Sequence, residues 1–298
     1  MPKPKGIKSE SQTPDLLHLT VFQRRGGATR RMASQPLVVI KLGGSALTDK
    51  TRIYTPRVHT IRQAAKEIAE ICRTHSVILI HGAGSFGHIP VRKYRLEHGL
   101  SDPKQLRGLA RTKTKLLEWE AILDEEFLKH EVPIVPIFPS DFVVTRNGRI
   151  FSAELKPLQK WLGMGCVPIV GGDIVPDSEL GFSVLSGDQL AAYLAVRLKA
   201  KRLVFAADVD GVFDADPKVN SQAKLLRELS GSSASRLIPK ATSRTASDVT
   251  GGMAGKVREA LVVSRAQIPV YFVNLTKSGR LRRAALGRRV VSSRISGS

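Results

Sequence analysis

The chain has 298 residues, 42% of them hydrophobic, enough to bury a full core as one α/β domain or two closely packed lobes. It carries 47 Lys and Arg against 26 Asp and Glu, a formal net charge of +21, and only two cysteines, Cys72 and Cys166, without metal-ligand spacing. That composition excludes a disordered chain and a disulfide-stapled secreted scaffold, and no apolar run is long enough for a membrane span. Two buried free thiols in a reducing cytoplasm are expected.

Residues 1–33 combine Lys-Pro repeats, Ser, Thr, Gln and Gly26-Gly27 without periodicity, which predicts a disordered basic extension. Within it, Met32 offers a second start, and an organelle transit peptide is disfavoured by the early prolines. Pro36 onward reads as strands alternating with helices. Leu37–Ile40 is a buried strand; Val58–Cys72 has helical spacing at Ile61, Ala65, Ile68 and Ile71; Val77–Ile80 is the next strand. A long helix spans about Gln105–Lys129, and a strand follows at Ile134–Ile137. Asn147-Gly148, between two β-prone runs in Phe142–Phe151, predicts a hairpin with a type I′ turn. Further strands fall at Val167–Val170, Phe182–Leu185, Leu203–Ala206 and Val270–Val273. One helix opens at Ser186-Gly187-Asp188 and another after Gly255. This order predicts an α/β fold, a three-layer αβα sandwich with a mostly parallel central sheet, plus the β-hairpin, which the family resemblance drawn below would place near the acceptor site.

The charge is concentrated at the ends. Residues 1–31 hold seven basic residues against two acidic ones, and residues 277–298 hold seven against none. Solvated basic termini around an anionic-substrate site account for this pattern. A basic nucleic-acid-binding protein retaining the same fold is the rival reading, but no aromatic-interleaved basic surface or helix-turn-helix pattern supports specific nucleic-acid recognition.

Four Gly-rich or acidic segments each follow an apolar strand: Lys41-Leu42-Gly43-Gly44-Ser45, His81-Gly82-Ala83-Gly84-Ser85-Phe86-Gly87-His88, Gly171-Gly172-Asp173 and Asp208-Val209-Asp210-Gly211. Open α/β sheets bind ligands at the carboxyl ends of their strands, and small residues there let backbone N–H groups approach an anion. The chain has no P-loop, and Gly82–Gly87 matches the dinucleotide G-x-G-x-x-G pattern too weakly to stand alone. Lys41, Lys50 and Lys256 lie in or beside such loops. Phosphoryl transfer needs its anionic partners aligned and their charge neutralised, which these residue types supply.

On these motifs, with Thr48-Asp49-Lys50 and Thr250-Gly251-Gly252-Met253 added, residues 36–290 resemble the amino acid kinase superfamily and, within it, the isopentenyl phosphate kinase family. The resemblance implies ATP- and Mg²⁺-dependent phosphorylation of isopentenyl phosphate, in isoprenoid synthesis by an alternative mevalonate route. It implies catalytic roles for Lys41, Lys50, His88 and Lys256. The nucleotide side would comprise Lys41, Gly43, Gly44, Ser45, Gly84, Asp208, Gly211, Gly252 and Lys256, and the acceptor would meet Ala83, Gly84, His88 and Gly172. Residues 34–298 would form the catalytic domain, the N-terminal part binding acceptor and the C-terminal part ATP. No residue is assigned to a resident metal, and Asp173 and Asp188 could orient the lysines or act through Mg²⁺. A phosphonate kinase acting on a compound such as fosfomycin is the nearest enzymatic rival. A cytoplasmic homodimer with no membrane partner is the family expectation.

Overall fold

The computed structural model describes residues 35–49, 52–231, 233–234 and 252–297, so the expected extension at 1–33 lies outside the described residues. The strands are β1 (Leu37–Leu42), β2 (Ser76–His81), β3 (Ile134–Ile137), β4 (Val143–Arg146), β5 (Arg149–Ala153), β6 (Val167–Gly171), β7 (Asp173–Asp177), β8 (Gly181–Leu185), β9 (Arg202–Ala207), β10 (Glu228–Leu229), β11 (Val270–Asn274) and β12 (Ser293–Ile295). The helices are α1 (Gly44–Leu47), α2 (Val58–Cys72), α3 (Gly84–Lys93), α4 (Gln105–Leu128), α5 (Lys156–Gly163), α6 (Gly187–Arg197), α7 (Gly252–Arg265) and α8 (Arg280–Ala285).

Eight strands form the main sheet in the order β10-β12-β11-β9-β1-β2-β6-β3, parallel throughout except where β11 meets β12. Its central strands are buried on both faces, as parallel sheets require, and the side chains divide by the period of two. On β1, Val38, Ile40 and Leu42 join a core with α2, α4 and α8, whereas Val39 joins the opposite core with α6 and α7. Helices therefore cover both faces, giving three layers.

A separate four-stranded sheet, β5-β4-β7-β8, holds the predicted hairpin. Asn147 (φ +47°) and Gly148 (φ +73°) supply the two positive φ values that a type I′ turn needs. The turn is fastened by Asp177, which accepts from the N–H groups of Asn147 (3.2 Å) and Gly148 (2.8 Å). Burial pushes the Asp177 carboxyl up, but N–H groups of Gly148, Leu180 and Glu179 overcome it and hold it well below the usual carboxylate range. Strand β7 was not expected, because Pro176 interrupts its ladder. Phe182–Leu185 pairs with it in this second sheet and not in the central one.

The basic C-terminal stretch corrects the expectation of a solvated end. Leu281, Ala284 and Ala285 are fully buried in α8, and Ile295 is buried in β12. Arg280 pairs with Asp210 at 2.7 Å and Arg282 with Glu70, so these charges brace packed elements. Both thiols are free and half-buried, and burial pushes Cys72 up to about 12, which leaves it a poor nucleophile.

Candidate active site

Lys41 is the second-to-last residue of β1, and strand alternation turns its side chain to the face that α6 and α7 cover. The Ser186 hydroxyl caps α6 by accepting from the Asp188 N–H (3.2 Å), which sets the Asp188 carboxylate at the start of that helix. There it meets Lys41 at 2.7 Å and Lys256, from the first turns of α7, at 3.1 Å. Burial pushes the Asp188 carboxyl up, but the Lys256 and Lys41 ammoniums prevail and bring it down to about 2. Two cations on one buried anion leave a net positive charge with fixed geometry, a form suited to phosphate.

The glycines around this group have packing reasons. A Cβ on Gly44 would lie 2.6 Å from Gly84 N, and one on Gly82 would lie 2.5 Å from Gly44 N, so the β1 and β2 loops touch backbone to backbone. Gly84 has φ +50° and abuts Thr48, whose hydroxyl donates to Gly44 O (2.9 Å) and accepts from Ser85 N–H (3.3 Å). Thr48 thus laces the two loops together.

A cavity of about 500 Å³ opens beside them. Of the residues expected at the site, it is lined by Lys41, Gly44, Ser45, Ala83, Gly84, His88, Gly172 and Lys256. His88 is half-buried in the first turns of α3, where an irregular loop had been expected. One flank is apolar, formed by Ile89, Val91, Leu116, Ile174 and Val184. The hairpin does not line the cavity itself; its sheet partners β7 and β8 supply Ile174 and Val184.

Four expected residues lie outside the lining. Gly43 donates its N–H to Ala206 O (2.7 Å), and Gly252 opens α7 one turn before Lys256. Gly211 packs on Ser293, whose hydroxyl would lie 2.4 Å from a Cβ there. Asp208 is joined to the lining through Ser45, which donates to it at 3.1 Å, and is paired with Lys218 at 2.5 Å. Lys50 lies outside the described residues.

The structure separates the two aspartates that the sequence left together. Asp188 holds both cavity lysines, whereas Asp173 meets Lys113 at 2.6 Å and accepts from the N–H groups of Ser140 (3.1 Å) and Ile174 (2.8 Å). Lys113 was missed because a lysine in the polar stretch of a long helix reads as solvated. The buried pair His81 and Glu120, 2.6 Å apart, was missed too, although a glutamate on the apolar spacing of Trp119, Leu123 and Phe127 was a usable signal.

Residues 36–274 match the family model described as the amino acid kinase family. The chain is 35% identical to isopentenyl phosphate kinase of Methanothermobacter thermautotrophicus, over 88% of this chain and 99% of that protein. It is 30% identical to isopentenyl phosphate kinase of Methanocaldococcus jannaschii, over 84% and 95% respectively. A solved structure titled as isopentenyl phosphate kinase superposes with a TM-score of 0.76 and 31% identity, covering 87% of this chain and 100% of that one. Fold, cavity and relatives agree, and the chain belongs to the amino acid kinase family, in its isopentenyl phosphate kinase branch.

Proposed function

We propose that the chain transfers a phosphoryl group from ATP to isopentenyl phosphate, forming isopentenyl diphosphate and ADP. The observation that carries this reading is the cavity's division of labour. The lining combines Lys41 and Lys256, locked on Asp188, the glycine loops and His88 with an apolar flank of Ile89, Val91, Leu116, Ile174 and Val184. A phosphate head on a short hydrocarbon tail fits both. Sequence relatives named for this activity support it.

Lys41 and Lys256 neutralise the phosphates and stabilise the charge that builds on the transferring group, while Asp188 prevents the two ammoniums from drifting. The His88 imidazole donates to the acceptor phosphate and aligns it. That phosphate monoester is largely ionised near neutral pH, its second pKa being about 6, so the attacking oxygen needs no strong general base. Asp208, Gly211 and Gly252 would frame the nucleotide, with Gly43 and Ser45 at its phosphates, and the resemblance implies a phosphate contact for Lys50.

Magnesium would arrive with the nucleotide. The two carboxylates beside the cavity already hold lysines, and among the described residues no group of three or more His, Cys, Asp or Glu gathers to cage a cation. Residues 34–298 act as one catalytic unit, the β1–α6 part taking the acceptor and the later part ATP. A cytoplasmic homodimer is the assembly we favour. No helix among the described residues is long and apolar enough to cross a membrane, β3 is an edge strand of the main sheet, and Leu106, Leu117 and Leu128 are exposed along α4. Sedimentation would test the dimer.

The deciding experiment incubates the protein with ATP and a panel of isopentenyl phosphate, isopentenol and fosfomycin, scored by product mass. Isopentenyl diphosphate should dominate, isopentenol should be ignored, and His88→Ala should raise KM for isopentenyl phosphate with little change for ATP. Preferential phosphorylation of fosfomycin would replace the substrate assignment.

A further inference from the structure

His81 occupies a junction. It ends β2, immediately before Gly82, and its carbonyl accepts the Gly172 N–H at 3.2 Å, so its backbone already bridges the two glycine loops that flank the acceptor cavity. Its side chain closes the same gap from behind. The imidazole lies against Gly171, where a Cβ would fall 2.8 Å from Cε1 and 3.0 Å from Nε2, so no side chain fits at 171. The ring is only 2% exposed, and its Nε2 lies 2.6 Å from Glu120 Oε2.

Glu120 belongs to a face of α4 that grips this region at successive points. Trp119 Nε1 donates to Gly82 O at 3.1 Å, and its ring stacks on Phe86 of α3 at 5.0 Å. One turn earlier Leu116 lines the cavity, and its Cδ2 would lie 3.3 Å from a Cβ at Gly87. The helix therefore contacts the first loop through Trp119, the helix that carries His88 through Leu116 and Trp119, and the junction with the second loop through Glu120. A buried carboxylate is costly unless its partner requires it there, and a well-packed apolar residue at 120 would serve the core at least as well.

We propose that His81 and Glu120, with Trp119, are positioning residues that fix the separation of the loops at Gly82–Gly84 and Gly171–Gly172, and hence the site where the acceptor phosphate sits. This rests on the assignment of that cavity to a phosphate-bearing acceptor. Neither His81 nor Glu120 lines the cavity, and the loops they join carry Ala83 and Gly172, so their influence falls on the acceptor. Glu120→Gln retains an amide oxygen to accept from the imidazole, whereas Glu120→Ala leaves the ring unheld.

Steady-state kinetics with both substrates varied, and amide hydrogen exchange on the substrate-free protein, test this. Glu120→Ala should raise KM for isopentenyl phosphate about tenfold or more with KM for ATP within about twofold, and Glu120→Gln should restore most of the loss. In Glu120→Ala, exchange at residues 82–87 and 171–173 should accelerate, with α7 unchanged. Trp119→Phe keeps an aromatic ring against Phe86 and deletes the donor to Gly82 along with part of the buried indole's volume, and should move acceptor KM in the same direction by a few-fold; it carries the test if Glu120→Ala does not fold. Equal effects on both substrates, or unchanged exchange in the loops, would overturn the proposal. A wild type that ignores isopentenyl phosphate would instead overturn the substrate assignment, leaving loop exchange to judge the positioning role.

Discussion

Asp188, at the start of α6, places both carboxylate oxygens on ammonium groups that reach the cavity, whereas Asp173, at the start of β7, spends its oxygens on Lys113 and on two backbone N–H groups. Both follow a glycine and both are buried, but Asp173 lines the cavity, whereas Asp188 meets it only through the two lysines it holds. The difference lies in what each carboxylate organises. One holds two ammonium groups at the cavity, and the other pins a corner, the 3₁₀ turn Pro139–Asp141, to the second sheet. A buried carboxylate is thus read by its partners.

The sharpest way to break the comparison is Asp188→Asn. Loss of one member of a buried ion pair typically costs about 3–5 kcal/mol, and two lysines depend on this one. We expect kcat to fall on the order of a hundredfold to a thousandfold, from the loss of fixed transition-state charge. The pH dependence carries a second signature. The folded-state pKa of about 2 lies below the value of about 3.9 of an unperturbed Asp, so the stabilisation is present above about pH 4 and fades as pH falls toward 2. Thermal melts across that window should show the increment in wild type and not in Asp188→Asn.

Lys256→Ala comes next. It leaves Asp188 with Lys41, so folding should survive, while kcat falls roughly tenfold to a thousandfold and acceptor KM changes less. Single-turnover measurements would show it; an unchanged kcat removes Lys256 from the chemistry.

Lys113→Ala sharpens the contrast from the other side. Asp173 keeps its two backbone donors, so the cost should be about 1–3 kcal/mol of stability, read by denaturant titration, with kcat lowered by less than about tenfold. A loss in kcat matching that of Lys256→Ala would erase the distinction between the two carboxylates.

The smallest effect concerns Asp124, one helical turn beyond Glu120. Burial and then the neighbouring Glu120 push its carboxyl up to about 7. A folded pKa above the unfolded one means stability declines as pH rises from about 4 to 7. Asp124→Asn should therefore raise Tm by a few degrees at pH 7 and by less at pH 4–5, by calorimetry.

Much of the fold was legible because apolar period and caps agree with tertiary packing. Val58–Cys72 and Ile134–Ile137 have the expected bounds, Ser186 caps its helix, and Asn147-Gly148 makes its turn. The illegible parts were those where local chemistry opposes the final structure. Glycines and Pro90 disguise α3 as a loop, Pro176 hides β7, and the arginines of α8 obscure Leu281, Ala284 and Ala285, whose i, i+3, i+4 spacing was the signal of a buried stripe. At the site, lysines and glycine loops were visible as motifs. Their connections, Asp188 to two lysines or Glu120 to His81, depend on which strand face and helix turn meet, which spacing alone does not specify.

Ser293 has a consequence for the order of synthesis. Its hydroxyl accepts from Val212 N–H at 2.8 Å, and β12 lies between β10 and β11, so the segment following Asp208 gains its buttress from residues translated long afterwards. The cavity's walls, by contrast, are complete in sequence by Gly187 apart from Lys256. On a ribosome the N-terminal part can begin to condense while the later part waits for its final strand, so a stalled or prematurely terminated chain would present a nearly finished pocket without Lys256.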